Sequence, residues 1–348
     1  MPALIIFIIF IFLVVLLSKA FGHTPPIRHG IAELRKIKIG GIDQSVLTRG
    51  ESIDNPILLF LHGGPGSTEM TPFRIYQGKL EKNFIVVHWD QRGTGKSFSR
   101  AIPRETMTIK RFVDDAYELV HYLRREFKKD KILLVGHSWG SALGLILAKE
   151  HPELFYAFVG SGQLVAPQDG EQVGYHYVLE KGREHKVAMK QLVAINHPES
   201  YLTIDPEGNW FSKLIIQKKW LLRFGGELYH RSNLLLLFNF QTIFAPEYAW
   251  MDLIRFFFGS VFSLKTMWPE VMRLNFFKSI PRVDIPVFFF EGRHDYNQPA
   301  SLLQKYYMDL QAPSKELVWF EESAHHPMYE EPEKYTRCLV EKVLPICR

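Results

Sequence analysis

The stretch Lys131–Gly140, K-I-L-L-V-G-H-S-W-G, decides the fold of this chain. Its apolar first half has the pattern of a strand that is covered on both faces. A helix rich in small residues follows Ser138, and the order strand, G-x-S-x-G, helix is that of a nucleophile elbow. Such a turn holds its serine in a strained backbone conformation, and the flanking glycines let neighbouring chain approach closely. The sequence therefore predicts that Ser138 is a nucleophile at a sheet edge.

Apolar runs on both sides of the elbow predict an α/β fold with a mostly parallel sheet flanked by helices. A helical stretch between two such runs carries apolar residues at spacings of three and four, which makes a right-handed βαβ crossover; these residues are Val113, Ala116, Val120, Leu123 and Phe127. The predicted strands are Glu33–Ile39, Ile42–Arg49, Pro56–Leu61, Phe84–Trp89, Lys131–Val135, Ala157–Ser161, Pro286–Glu291 and Leu317–Phe320, with a last helix over Pro332–Val343.

A long segment of helical character, residues 166–279, interrupts this pattern and carries four of the seven tryptophans. It is too long for a loop. We expect it to form a helical lid over the C-terminal edge of the sheet, where open α/β sheets bind ligands. The core of the domain would then comprise residues 30–165 and 280–348.

A second glycine turn, His62–Gly66, leaves the end of another buried strand. Such a turn exposes backbone N–H groups at the sheet edge. One of them, together with the N–H of Trp139, is expected to bind the negative oxygen of a tetrahedral intermediate. The alternative is an ordinary tight turn, which the neighbouring elbow makes the weaker interpretation.

The serine needs a base, and the base needs an acid that orients it, here expected in the chain order Ser, Asp or Glu, His. Asp295 and His325 each follow a predicted strand, so both are expected at the same edge as Ser138. Position along the chain leaves His326 open as the base and Glu291 open as the acid.

Three other kinds of site are not expected. The segment Asp90–Ser97 ends in G-K-S, but a phosphate-binding loop would need glycine where Asp90 stands. We expect a structural loop with a local pair between Asp90 and Arg92. No spacing typical of metal ligands occurs, so neither a metal nor another cofactor is predicted. The net charge of +5 is mild and no isolated basic block occurs, so no nucleic-acid partner is predicted either.

The N-terminus differs from the rest, because Ala3–Leu17 is an unbroken apolar run. Basic residues follow the run and none precedes it, which is the reverse of a cleavable signal peptide. We therefore predict an uncleaved single-pass anchor within residues 1–20, a cytoplasmic catalytic domain, and unpaired Cys338 and Cys347. The alternative is a secreted enzyme cleaved near Ala20.

The motifs H-G-G-P-G, D-Q-R-G-T-G-K-S, G-H-S-W-G, G-R-H-D and A-H-H-P-M-Y-E-E-P together resemble the prolyl iminopeptidase-like branch of the α/β-hydrolases, over about residues 30 to 340. The resemblance implies the α/β-hydrolase fold. It also implies Ser138 as the nucleophile, Asp295 as the acid, His325 as the base, and Gly64 with Trp139 as the oxyanion N–H donors. His137 departs from the G-G-S-W-G that these aminopeptidases usually carry, and the N-terminal anchor is unusual for them.

The expected function is that of a serine aminopeptidase that releases proline or a small apolar N-terminal residue through an acyl-enzyme. Such an enzyme must pair the substrate ammonium with carboxylates of the lid, and the candidates are Glu171, Glu180, Glu184, Glu227 and Glu247. One alternative is a carboxylesterase acting on a small or lipid-like ester with the same triad. The other is a non-catalytic receptor that kept the fold, which the intact Ser, Asp and His disfavour.

Overall fold

The computed structural model describes residues 22–196, 209–230 and 241–347. The predicted anchor therefore lies outside the described residues. The described chain forms an eight-stranded sheet with strand order β1-β2-β4-β3-β5-β6-β7-β8. The strands are β1 Ile31–Ile39, β2 Ile42–Gly50, β3 Ile57–Leu61, β4 Ile85–Asp90, β5 Ile132–His137, β6 Phe155–Ser161, β7 Val287–Gly292 and β8 Lys315–Phe320.

The sheet is mostly parallel, as predicted. Only β2 runs against its neighbours: it pairs antiparallel with β1 and with β4, and β3 to β8 run parallel to β4. Gly40 and Gly41 make the β1–β2 turn with φ of 55° and 80°, values that favour glycine. Every residue of β3, β4, β5 and β7 is buried, which explains their continuous apolar runs.

Helices cover both faces of this sheet. They are α1 Met70–Gln77, α2 Ile109–Phe127, α3 Trp139–Glu150, α4 Pro167–Lys181, α5 Lys186–Ile195, α6 Trp210–Arg223, α7 Trp250–Val271, α8 Phe276–Ser279, α9 Ala300–Asp309, α10 Pro327–Glu330 and α11 Pro332–Cys338. The last predicted helix is thus shorter than expected, because Leu339–Val343 forms a π-helical turn.

Helix α2 shows why the βαβ pattern folds as it does. The Thr108 hydroxyl caps the first turn by accepting a hydrogen bond from Arg111 N at 3.2 Å. Val113, Ala116, Val120 and Leu123 are buried against the sheet, as their helical spacing predicts. The helix therefore returns the chain from β4 to β5, which carries the elbow.

Asp90 and Arg92, in the loop Asp90–Ser97, do not form the predicted pair with each other. The Asp90 carboxylate accepts hydrogen bonds from Thr68, from Tyr248 Oη at 3.1 Å and from Lys96 N at 2.8 Å. Arg92 pairs instead with Asp115 of α2 at 2.8 Å, with both side chains buried. The predicted Asp90–Arg92 pair is therefore wrong, because each group reaches a partner far away along the chain.

The segment between β6 and β7, from Gly162 to Pro286, is called here the insertion, and its described part contains α4 to α8. Apolar side chains of α4, α5, α6 and α7 pack into a cluster of their own. Serines of α7 tie the insertion to the core, since Ser263 Oγ donates to Gly93 O at 2.9 Å and Ser260 Oγ to Gly66 O at 2.6 Å. The insertion thus covers the two glycine-rich loops at the end of β3 and β4.

Two remaining expectations concern cysteines and membrane spans. Cys338 and Cys347 are both buried and free, as predicted. Within the described ranges no helix combines the length and apolar character that crossing a bilayer requires.

Candidate active site

The elbow has the geometry that its sequence predicts. Ser138 lies between β5 and α3 with φ of 52° and ψ of −119°, a strained conformation for a residue with a Cβ. Its N–H donates to Ser161 O at 3.0 Å. A Cβ on Gly140 would collide with the carbonyl oxygen of Leu61, so glycine is required there. The turn therefore directs Ser138 to the C-terminal edge of the sheet.

Asp295 and His325 come together beside it. His325 Nδ1 donates to Asp295 Oδ2 at 2.7 Å, and Asp295 Oδ1 accepts from Asn297 N at 2.7 Å and Gln298 N at 2.8 Å. Burial lowers the pKa of His325 well below its ordinary value, so the ring is neutral at pH 7 and its Nε2 can accept a proton. His325 and Ser138 line one cavity.

Ser138 Oγ and His325 are not hydrogen-bonded to each other in the part of the chain that the structure describes. Catalytic hydrogen bonds are often long before the substrate binds. The geometry thus brings the three predicted residues to one place, with His325 bonded to Asp295 and beside Ser138 in one cavity.

Glu291, the alternative acid, has a different position. It is buried at the end of β7, and its Oε2 accepts from Gln163 N at 3.2 Å rather than from His325. Burial raises the pKa of Glu291 well above its ordinary range, with the neighbouring Asp295 charge adding to the effect. Burial also raises the pKa of Asp295, to about 7, although the backbone N–H groups of Gln298 and Asn297 oppose this rise. Asp295, rather than Glu291, is the member of the pair that bonds the histidine.

The two predicted oxyanion donors belong to the glycine turn and to the elbow. Gly64 has a φ of 114° and lines the Ser138 cavity, and Trp139 is the first residue of α3. Neither backbone N–H donates to another residue in the described ranges. A Cβ on Gly63 would lie 3.2 Å from Ser138 Cβ, which shows how closely the glycine turn approaches the elbow. Both N–H groups can therefore serve an anionic oxygen.

A hydrogen-bonded network that the sequence did not reveal joins these parts. Glu69 Oε2 accepts from Gly63 N at 2.8 Å and bonds His137 Nδ1 at 3.0 Å, and Glu69 Oε1 accepts from Tyr329 Oη at 2.9 Å. His137 Nε2 lies 3.0 Å from the carbonyl oxygen of His325. His137 was noticed in the sequence only as a departure from the family pattern, and no local signal marks Glu69.

The charges within this network follow from the partners. A carboxylate and a carbonyl oxygen can only accept, so both ring nitrogens of His137 donate and the ring is an imidazolium. Burial opposes the charge of His137, but the adjacent Glu69 carboxylate outweighs it and the pKa of His137 is raised. Burial likewise opposes the charge of Glu69, but His137 outweighs it and lowers the pKa of Glu69 to about 2. The pair is therefore a buried ion pair.

The same region contains three residues whose side chains can bind metals. Glu69, His137 and His326 place potential ligand atoms within 4.8 Å of one another. However, both ring nitrogens of His137 and both carboxylate oxygens of Glu69 are engaged in hydrogen bonds. We therefore assign this cluster to hydrogen bonding, and the absence of a metal cofactor stays a prediction.

Two cavities open at Ser138. One has a volume of about 410 Å³ and is lined by Ser138, His325, His326, Glu69 and Glu227 among others. The other, of about 500 Å³, also contains Ser138 and Glu227, and its walls are mainly apolar side chains of α6 and α7, namely Phe211, Leu214, Ile215, Leu222, Val261, Leu264 and Trp268. The site thus combines a polar compartment with an apolar one.

The five candidate carboxylates of the insertion lie in different surroundings. Glu180 and Glu184 are exposed. Glu171 pairs with Lys218, and Glu247 pairs with Arg74. Only Glu227, of these five, lines both cavities with Ser138.

The comparisons with known proteins agree with this geometry. A family model described as the α/β-hydrolase fold matches residues 56–185. A probable aminopeptidase of Bacillus subtilis, YbaC, is 37% identical over 90% of this chain and 97% of its own length. The chain belongs to the α/β-hydrolase family, in its proline iminopeptidase-like branch.

Other members of the family are more distant. A proline iminopeptidase of Heyndrickxia coagulans is 26% identical over 80% of this chain and 87% of its own. The solved structure of a proline iminopeptidase-related protein from Thermus thermophilus covers 91% of this chain and 100% of its own with a TM-score of 0.64, at 17% identity. At that identity the likeness shows the α/β-hydrolase fold alone. The predicted family, fold and hydrolase class are thereby confirmed, whereas the roles of the individual site residues remain predictions.

Proposed function

We propose that this hydrolase is a serine aminopeptidase that releases proline or a small apolar N-terminal residue. The observation that carries the proposal is the position of Glu227, whose carboxylate lines the same cavities as Ser138. The names of the relatives, a probable aminopeptidase and a proline iminopeptidase, support the same substrate class. A free N-terminal ammonium at Glu227 would place the following carbonyl group near the serine.

Glu227 is suited to bind a cation. Its Oε1 lies 3.0 Å from His326 Nε2, which leaves Oε2 for a second donor. Burial opposes its charge, but the hydrogen bond from His326 and nearby positive charge, Lys218 included, outweigh this and lower the pKa of Glu227. Glu227 is therefore ionised at neutral pH. In a partly buried site an ammonium–carboxylate contact is stronger than in water.

In the proposed mechanism, His325 Nε2 takes the proton of Ser138 Oγ as the oxygen attacks the scissile carbonyl carbon. The tetrahedral oxyanion receives hydrogen bonds from the N–H groups of Gly64 and Trp139. His325 then gives its proton to the departing amine, and the released residue stays on Ser138 as an ester. Water activated by the same histidine hydrolyses this ester and restores the enzyme.

The apolar compartment sets the expected size of the released residue. The side chains of α6 and α7 that line the second cavity offer hydrocarbon surface for a proline ring or a small aliphatic chain. We propose that residues 166–279, which lie within the insertion, form a lid over a core of residues 30–165 and 280–348, and that this lid supplies both this surface and Glu227.

The test compares an amide that has a free N-terminus with an ester that has no amine. We expect wild-type protein to hydrolyse proline β-naphthylamide, and Glu227→Gln to raise KM for that substrate by about tenfold or more while leaving p-nitrophenyl acetate hydrolysis nearly unchanged. Glu180→Gln is the matched control, because Glu180 is an exposed acid of the same insertion. Equal losses on both substrates would argue against an ammonium site at Glu227.

A carboxylesterase remains the second candidate, because one Ser138 cavity is mostly apolar. Rapid turnover of short-chain nitrophenyl esters together with no release of proline from peptides or amides would favour it. A non-catalytic receptor is the third candidate. Labelling by a fluorophosphonate that disappears in Ser138→Ala would exclude it.

For localisation we propose that the apolar run Ala3–Leu17 anchors the protein to a membrane with the catalytic domain on the cytoplasmic side. The support is the basic flank from Lys19 to Lys38, which follows the run. Full-length protein in the membrane fraction, protected from protease added to intact cells, is the expected result. Mature protein that begins near Phe21 and is recovered outside the cell would instead show a cleaved signal.

A further inference from the structure

Helix α7 carries a stripe of large apolar side chains in contact with solvent. Met251, Ile254, Phe257 and Phe258 are exposed by 59%, 51%, 65% and 46%. At 3.6 residues per turn these four positions span an arc of about 120° on one side of the helix. The opposite side of α7 is buried and carries Asp252, Gly259 and Ser263. We call the four exposed side chains the apolar stripe. A continuous exposed stripe of this kind marks an interaction surface.

Cations border the apolar stripe. A groove of about 840 Å³ is formed by three members of the stripe together with Lys36, Lys38, Lys96, Arg100 and Arg255. Lys96 and Arg255 form ion pairs with Asp252 of α7.

The other three cations of the groove are exposed, and none of them forms an ion pair with any residue in the described ranges. The Arg100 guanidinium also lies 5.6 Å from the ring centroid of Phe258. Asp43 is the acid among the groove residues. The border of the stripe is therefore net positive.

The chain enters the domain beside this surface. His23 N donates to Pro246 O at 2.9 Å, four residues before α7 begins at Trp250. A Cβ on Gly22 would come within 2.6 Å of Lys96 Nζ, a group of the same groove. The apolar run ends at Leu17. The six residues from there to His23 can reach at most about 20 Å. A run held in a bilayer would thus keep this side of the domain close to the membrane.

We propose that the apolar stripe and its basic border dock on an anionic lipid bilayer. The stripe would enter the boundary between headgroups and acyl chains, and the unpaired cations would face the lipid phosphates and carboxylates. The inference rests on the proposed N-terminal anchor, and it is independent of the proposed peptidase activity. Charge favours a bilayer over a second copy of this chain, because two copies would bring the same basic borders together.

The test measures depth in the membrane rather than activity. Full-length Phe257→Cys protein is labelled with an environment-sensitive fluorophore, since the native Cys338 and Cys347 are buried. Vesicles of phosphatidylcholine, with or without phosphatidylserine, carry a doxyl-lipid quencher. The matched control is Met308→Cys, because Met308 is 71% exposed and belongs to α9. Tyr307 of that helix contacts Lys315 of β8, at the sheet edge opposite β1.

We expect quenching of most of the fluorescence at position 257 in phosphatidylserine vesicles and little at position 308. Lys36→Glu combined with Arg100→Glu should weaken the quenching at 257 while the melting temperature stays the same. Protein that sediments with vesicles but shows no quenching at 257 would overturn the docking and leave the anchor intact. Failure to sediment would overturn both. A fluorescence change at 257 that depends on protein concentration and needs no vesicles would assign the stripe to a second copy.

Discussion

His137, the residue before Ser138, is hydrogen-bonded through Nε2 to the backbone carbonyl oxygen of His325 at 3.0 Å. Its other ring nitrogen bonds Glu69 Oε2 at 3.0 Å, and the same oxygen accepts from Gly63 N. One carboxylate and one imidazolium therefore connect the elbow, the glycine turn and the loop that carries His325. This arrangement holds three parts of the site that come from distant segments of the chain.

The first prediction concerns this ion pair. Glu69→Gln and His137→Asn should each lower kcat by roughly 100-fold, because a displaced base loses its alignment, and each should lower the free energy of unfolding by about 3 kcal/mol. The double variant should be little worse than either single variant, which a double-mutant cycle in kcat and in urea denaturation measures. Glu333→Gln, which breaks the exposed Lys79–Glu333 pair, is the control. Additive losses would contradict the coupling.

The second prediction separates the acid from its neighbour. Asp295→Asn should lower kcat by about 10⁴-fold, because the histidine then loses the partner that fixes its tautomer. Glu291→Gln should have a far smaller effect, since Glu291 accepts from Gln163 N rather than from His325 and an amide keeps a similar shape. Steady-state kinetics of both variants on the same substrate measure the two losses in kcat. A larger loss in Glu291→Gln would transfer the role of the acid.

The third prediction concerns pH and activity. The base works only when His325 is neutral, and burial lowers its pKa well below the ordinary value. Activity should therefore persist at pH 6.5 and fall only at lower pH. A profile of kcat/KM against pH measures this limb. A midpoint above pH 7 would show that His325 is not held as a neutral base.

The fourth prediction concerns pH and stability. Because the pKa of Glu69 is lowered, its ionised form stabilises the folded protein at pH values above its ordinary pKa. This contribution is lost as the pH falls toward about 2. Because the pKa of His137 is raised, its charged form stabilises the folded protein below about pH 6.5. This contribution is lost as the pH rises through the pKa of His137 in the folded state. The stability difference between wild type and the double variant should thus be largest near pH 5 to 6. Urea denaturation of both proteins from pH 4 to 9 measures this difference in unfolding free energy. If Glu69 and His137 were both neutral, the difference would not vary with pH.

The fifth prediction concerns the core. Arg92 and Asp115 form a fully buried ion pair that also holds Gln44, whose Nε2 donates to Asp115 Oδ2 at 2.8 Å. Asp115→Asn leaves the Arg92 charge uncompensated and should lower the free energy of unfolding by about 3 to 5 kcal/mol. Asp114 is the residue next to Asp115, and it forms an exposed ion pair with Lys110. Asp114→Asn should therefore change the free energy of unfolding by less than about 0.5 kcal/mol. Denaturant-induced unfolding of wild type and both variants measures these changes in the free energy of unfolding.

Much of the fold could be read from local patterns. The continuous apolar runs of β3, β4 and β5 are covered on both faces, and this requirement is visible residue by residue. The elbow was equally visible, because the strain at Ser138 and the close approach at Gly140 restrict the residues that can stand there. Asp295 and His325 could be anticipated as candidates, since each follows a strand of the same parallel sheet.

What the sequence by itself determined was therefore the sheet, the elbow with its strained serine, and a short set of candidate partners for that serine. The tertiary structure alone placed Asp295 rather than Glu291 against His325, brought Glu227 of the five acids into the cavities of Ser138, and joined Glu69 to His137 across 68 positions of the chain. It also replaced the expected Asp90–Arg92 pair by Arg92–Asp115. Local patterns report burial and backbone strain, which each residue experiences on its own. The pairing of buried charges depends on strand order and loop direction, which exist only once distant segments have packed together.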